Sequence, residues 1–296
     1  MINLPSKVIL SEVGLRDGLQ NFPRIIPTSM KIDILSRLVN AGLKRIQICA
    51  FVSPSIVPQM ADANQLCQAL PALSASQTIF SALALNIKGI DRAYECGLEH
   101  IDISISSDPV HSKKNTGMDL DCARTSMKKM IQRARKYNMK VFAGIQCAFG
   151  SPFNKIIPDE RLYEMTCEML HEQVDAFGLF DTSGMATPSR VKKTLDLLLP
   201  ITKSLPFFFH FHDTNGFGDV NLMTAMNYGI SQFDTSFGGL GGCPFIPDSR
   251  GNIATEHIAL LLEDLGIETG IDIEDVHSCY ETVVNYGHLE KKVVAY

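Results

Sequence analysis

None of the eight cysteines stands in a Cys-x-x-Cys pair. Thiols scattered over a chain this long point to a reducing compartment and not to a disulfide frame. The chain has no basic block and carries a net charge of −5, which excludes nucleic acid and anionic membranes as natural partners. No apolar run is long enough to span a bilayer. No low-complexity segment or linker interrupts the chain. The opening Met1-Ile2-Asn3-Leu4-Pro5-Ser6-Lys7 leads straight into a strand, so neither a signal nor a transit peptide is expected, and the protein is predicted to be cytoplasmic.

What is present is apolar bulk in regular alternation. Hydrophobic residues make up 45% of 296 positions, enough for a large core. Apolar strands are predicted at Val8–Val13, Lys44–Phe51, Thr78–Leu85, His100–Ser106, Val141–Ala148, Val174–Asp181, a run ending at His210-Phe211-His212, and Ser231–Ser236. Helical periodicity lies between them, at Thr28–Ala41, Val57–Leu70, Ile87–Glu95, Asp119–Tyr137, Pro158–Glu172, Thr187–Leu199, Asp219–Tyr228 and Asn252–Leu265. Eight strand–helix units predict a parallel sheet closed into a (β/α)8 TIM barrel, one domain over residues 1–296. A doubly wound open sheet is the alternative, but no Gly-x-Gly-x-x-Gly follows the first strand. Residues 266–296 read as a helical extension under or beside the barrel.

The chemistry gathers where strands end. In Phe207-Phe208-Phe209-His210-Phe211-His212 the two histidines are two apart, which on a strand puts both imidazoles on one face and Phe209 and Phe211 on the other. Strand one delivers Arg16 and Asp17, strand two Gln47 and Cys49, strand three Asn86, and strand six Asp181. Around a closed ring Asp17 lies on the strand next but one to the histidines. Two imidazoles and a carboxylate suit a divalent cation, Mg²⁺ or Mn²⁺ ahead of Zn²⁺ or Fe²⁺. Asp213 or Thr214 would give the ligands outer support. After strand eight comes Gly238-Gly239-Leu240-Gly241-Gly242-Cys243, read as a mobile strip carrying a thiol, suited to a lid.

Four stretches together resemble the 3-hydroxy-3-methylglutaryl-CoA lyase family, within the metal-dependent lyase and synthase barrels. They are Glu12–Asn21, Phe51–Pro54 with Val57–Met60, His210–Thr214, and Gly238–Pro244 with Gly251–Glu256, in order over Val8 to Gly270. The resemblance implies a carbon–carbon lyase giving acetyl-CoA and acetoacetate. Asp17, His210 and His212 would bind the cation, and Asn252 would complete the set. Arg16 would hold the thioester oxygen and Cys243 would act from the lid. The proton would be carried by His210 or Cys243. Coenzyme A enters as part of the substrate, and a homodimer is implied.

Two positions depart from that pattern. Gln47 stands where the family has a carboxylate, and Phe142 where it has an arginine. With Asn86, these are the residues expected to border the acyl group. The cysteine of the family's Cys-Pro-Tyr is here Ser151, before Pro152-Phe153. Alternatives are therefore a lyase for another branched 3-hydroxyacyl-CoA or a 2-oxo acid adduct, or a catalytically silent metal-binding paralogue.

Overall fold

The computed structural model describes residues 4–73, 77–202, 205–242 and 251–288. Eight parallel strands close into one ring in chain order. They are β1 (Ile9–Glu12), β2 (Arg45–Ala50), β3 (Ile79–Ala84), β4 (His100–Ser106), β5 (Lys140–Gln146), β6 (Ala176–Phe180), β7 (Phe207–His210) and β8 (Gln232–Thr235). β8 pairs with β1, Asp234 opposite Ser11 and Thr235 opposite Glu12. This is the expected (β/α)8 barrel.

The outer layer consists of α1 (Thr28–Asn40), α2 (Ala63–Ala69), α3 (Ile87–Glu95), α4 (Pro109–Thr116), α5 (Leu120–Lys136), α6 (Asp159–His171), α7 (Pro188–Thr202), α8 (Gly218–Met226), α9 (Thr255–Asp264) and α10 (Ile273–Gly287). α5 shows why the sequence folds this way. Ala123, Met127, Met130, Ile131 and Ala134 recur at three- and four-residue spacing and are all buried. Asp119 caps the start by accepting from Cys122 N at 2.8 Å. Among the described residues no helix is long and apolar enough to cross a membrane.

One feature differs from the sequence reading. α4 carries no apolar stripe, so periodicity does not reveal it. Its ends do: Asp108 accepts from Val110 N and His111 N at 2.7 and 2.9 Å, Pro109 opens the first turn, and Gly117 closes it at φ +74°. Ser151 Oγ donates to Asp108 and ties α4 to the loop after β5. The C-terminal extension is α10, which lies beside the barrel against α1 and α9 and buries Val276, Cys279, Tyr280, Val283 and Val284.

Candidate active site

Alternation on β7 sorts its aromatic run. Phe207, Phe209 and Phe211 stack in series at 5.2 and 5.1 Å, and Phe208, His210 and His212 are left on the opposite face. His212 lies just past the strand and bridges antiparallel to Asn252. Ile253 N donates to Phe211 O at 3.2 Å and Asp213 N to Gly251 O at 3.0 Å, so Asn252 is set beside the histidine. At the end of β1 the chain winds into one π-helical turn, Gly14–Gly18. Val13 O accepts from Arg16 N and Asp17 N at 3.1 and 2.7 Å, and both side chains turn into the barrel mouth.

There the predicted ligands meet. His210 Nε2 and His212 Nε2 are 3.1 Å apart. Asp17 Oδ2 lies 3.9 Å from the first and 3.7 Å from the second. Among the described residues this is the group whose donor atoms all fall within 4.8 Å of one another. Asn252 Nδ2 donates to Asp17 Oδ2 at 2.8 Å, while its Oδ1 is buried without a hydrogen-bond partner. Two facing imidazole nitrogens, a carboxylate oxygen and an orphaned amide oxygen fit a divalent cation with mixed N and O donors.

Charge is arranged to match. Burial alone would raise the Asp17 carboxyl, but the Arg16 guanidinium and the two histidines overrule it and hold it well below the usual carboxylate range. Arg16 Nη1 donates to Asp17 Oδ1 and Arg16 Nε to Gln47 Oε1. Gln47 therefore orients Arg16. Outer support for His210 comes from Asp234, whose Oδ2 lies 3.2 Å from Nδ1, and not from the expected pair. Asp213 Oδ1 is engaged with Gly218 N at 2.8 Å, and Thr214 Oγ1 has no hydrogen-bond partner. Asp234 was legible by alternation, because β8 sets it opposite His210.

Two other buried carboxyls hold the frame. Burial pushes Asp181 up to about 7, against the N–H of Ala186 and the neighbouring His212. Burial pushes Glu12 up to about 8, although Thr255 Oγ1, Gly14 N and Phe237 N all donate to it. Glu12 thus joins the Arg16–Asp17 turn to the root of the glycine loop.

The cluster opens into a cavity of about 810 Å³, walled by Val52, Ile56, Met60 and Leu85 on one side and by Ser104, Asn115 and Gln146 on another. Asn86 borders it and also caps α3 through Gly89 N at 2.9 Å. Other expectations are corrected. Cys49 is absent from the cavity lining and neighbours Cys67 of α2. Phe142 sits deeper in the barrel and not on the cavity wall, with the Arg45 guanidinium 4.0 Å over its ring. Arg45 of β2 thus sets a positive group over that ring. The loop glycines serve close approach. Gly238, at φ +61°, lies where a Cβ would meet the Tyr280 ring at 1.9 Å, and its N–H donates to Glu256 at 2.9 Å. A Cβ on Gly241 would meet Asn252 Nδ2 at 2.4 Å. Cys243 lies outside the described residues.

Comparison with known proteins agrees with this geometry. The HMGL-like family model matches residues 7–283. The chain is 35% identical over 274 residues to a hydroxymethylglutaryl-CoA lyase of Bacillus subtilis, covering 93% of this chain and 91% of that one. The crystal structure of the Bacillus subtilis HMG-CoA lyase superposes with a TM-score of 0.93 at 33% identity, covering 98% of this chain and 97% of that one. An HMG-CoA lyase from Acinetobacter baumannii, solved with coenzyme A and 3-methylmalate, superposes at 0.89 with 28% identity, covering 98% and 94%.

We expect His212→Ala to lose the cation while keeping the fold. Metal analysis after dialysis should find about one Mn²⁺ per wild-type chain and none in the variant; equal content would exclude His212 as a ligand. A second expectation follows from Glu12. Its folded pKa of about 8 stands above the ordinary 4.5. Its contribution to stability is therefore fully present below pH 4.5 and is lost as pH rises through 8. Glu12→Gln should gain on wild type in urea unfolding as pH rises from 5 to 8. A difference that does not vary with pH would contradict the assignment.

Proposed function

The chain belongs to the HMGL-like family, and from that premise we propose that it cleaves 3-hydroxy-3-methylglutaryl-CoA to acetyl-CoA and acetoacetate, with Asp17, His210, His212 and Asn252 holding a divalent cation, Mg²⁺ or Mn²⁺. The observation that carries this reading is the meeting of Arg16–Asp17 with the histidine pair at one end of a cavity large enough for an acyl thioester.

Cleavage removes the proton of the 3-hydroxyl, forms a ketone at C3 and breaks the C2–C3 bond. The electron pair passes into the thioester enolate, which is then protonated at C2. A cation at the cluster would supply Lewis acidity that makes the 3-hydroxyl easier to deprotonate. Arg16, held in place by Gln47 and Asp17, would offer its guanidinium to the enolate oxygen. Its preorganisation matters because charge appears on that oxygen only as the bond breaks. His210 has both nitrogens engaged, one toward Asp234 and one toward His212 and the cation position. That favours Cys243 as the proton carrier. The seven described cysteines are all free thiols, which supports a cytoplasmic protein. A homodimer and a single barrel domain with α10 as its extension complete the reading.

A second reading, another branched 3-hydroxyacyl-CoA, is favoured by the uncharged Gln47 and the apolar wall of Val52, Ile56, Met60 and Leu85. The intact cluster argues against a silent paralogue. Acetyl-CoA release from an acyl-CoA panel with Mn²⁺ separates the two. We expect the methylglutaryl thioester to lead in kcat/KM, with Gln47→Glu raising its rate by up to about a hundredfold, the worth of a unit charge ~5 Å away at an effective dielectric near 20. A branched substrate that leads in both proteins would replace the first reading by the second. Cys243→Ser should lower turnover at least tenfold with Mn²⁺ binding unchanged, as for a group that acts only in the transition state; wild-type turnover would remove the thiol from the chemistry.

A further inference from the structure

One buried cation is not used by the chemistry above. Arg45 enters the barrel from β2 and is 7% exposed. In register it stands opposite Ser11 of β1, and Ser11 stands opposite Asp234 of β8. The small serine lets the arginine side chain cross β1 to reach that strand. Its guanidinium lies 4.0 Å over the Phe142 ring and 5.6 Å from the Phe208 centroid. One end donates to Asp102 of β4. The other, Nη1, is 3.7 Å from Asp234 Oδ1, an oxygen that makes no hydrogen bond. The second oxygen of the same carboxylate, Oδ2, is the one 3.2 Å from His210 Nδ1. Asp234 thus has one oxygen toward Arg45 and one toward the histidine. No such partner fixes His212, whose Nδ1 has no hydrogen bond.

We propose that Arg45 is a positioning residue for the metal centre: through Asp234 it fixes His210 with Nδ1–H on the carboxylate and the Nε2 lone pair turned to the cation. The inference rests on the reading of His210 as a metal ligand. A carboxylate buried among apolar rings needs a compensating charge to hold one orientation. The planar fork, clamped by Asp102 and stacked on Phe142, supplies that charge from a fixed direction. Without the fork, Asp234 is free to turn. The imidazole then samples both tautomers, and half of them point a proton at the cation position.

The test uses the full chain at pH 8, with two readouts that a merely structural role would not move. The first is the ¹⁵N chemical shifts of His210 in the metal-free protein, which report the tautomer. The second is titration with Co²⁺ followed by its visible spectrum. We expect Arg45→Met to mix the tautomers, alter the Co²⁺ spectrum and weaken Co²⁺ binding by roughly ten- to a hundredfold, the usual cost of losing an outer-sphere partner. A single wild-type tautomer and unchanged affinity would overturn the inference. Should Arg45→Met fail to fold, a cycle of Arg45→Lys, Asp234→Asn and the double variant decides. The lysine change should matter only while Asp234 is present, and fully additive losses would overturn the coupling. Wild type that takes up no Co²⁺ would overturn the metal reading itself.

Discussion

The hydrogen-bonded seam between β1 and β8 is what makes a centre of these residues. Asp17 and the histidines are nearly two hundred positions apart in the chain. Only ring closure, with β8 lying between β1 and β7, brings the turn after β1 across from the end of β7. The antiparallel bridge between His212 and Asn252 then folds the returning chain over the same spot. An open sheet would leave β1 and β8 at opposite edges and the ligands apart. Glu12, buried at the seam, bonds both to the β1 turn and to Phe237 at the root of the glycine loop.

The centre is also a problem in electrostatics. A carboxylate and a guanidinium are buried side by side, and neither could sit there alone without a large desolvation cost. Each offsets the other, and Gln47 and Asn252 occupy remaining donors and acceptors. The result is a carboxylate kept ionised among donors that stand ready around an acyl group. That preorganisation is what a reaction with charge developing on a thioester oxygen requires.

Much of this could be read from the chain. Strand–helix alternation gave the barrel because a buried parallel strand and an amphipathic helix have different periods. The histidine pair gave the centre because spacing of two on a strand fixes a common face. The rest failed for specific reasons. α4 is held by its caps, Asp108 and Gly117, and has no stripe to count. Cys49 was placed at the mouth by counting along β2, but an irregularity between Gln47 and Cys49 breaks the alternation. Phe142 was assigned to the cavity by its departure from a family pattern, whereas its height in the barrel puts it beneath Arg45. Arg45 is the first residue of β2 and belongs to no motif. Its crossing past Ser11 depends on register, which no single strand reveals.

On the proposed function, two imidazoles and one carboxylate at the barrel mouth hold the cation on which cleavage depends. X-ray absorption at the metal edge of the manganese-loaded protein tests it most directly. The expected result is a shell of nitrogen and oxygen with the multiple-scattering signature of two imidazole rings and no sulfur. A shell without imidazole, or one containing sulfur from Cys243, would contradict it.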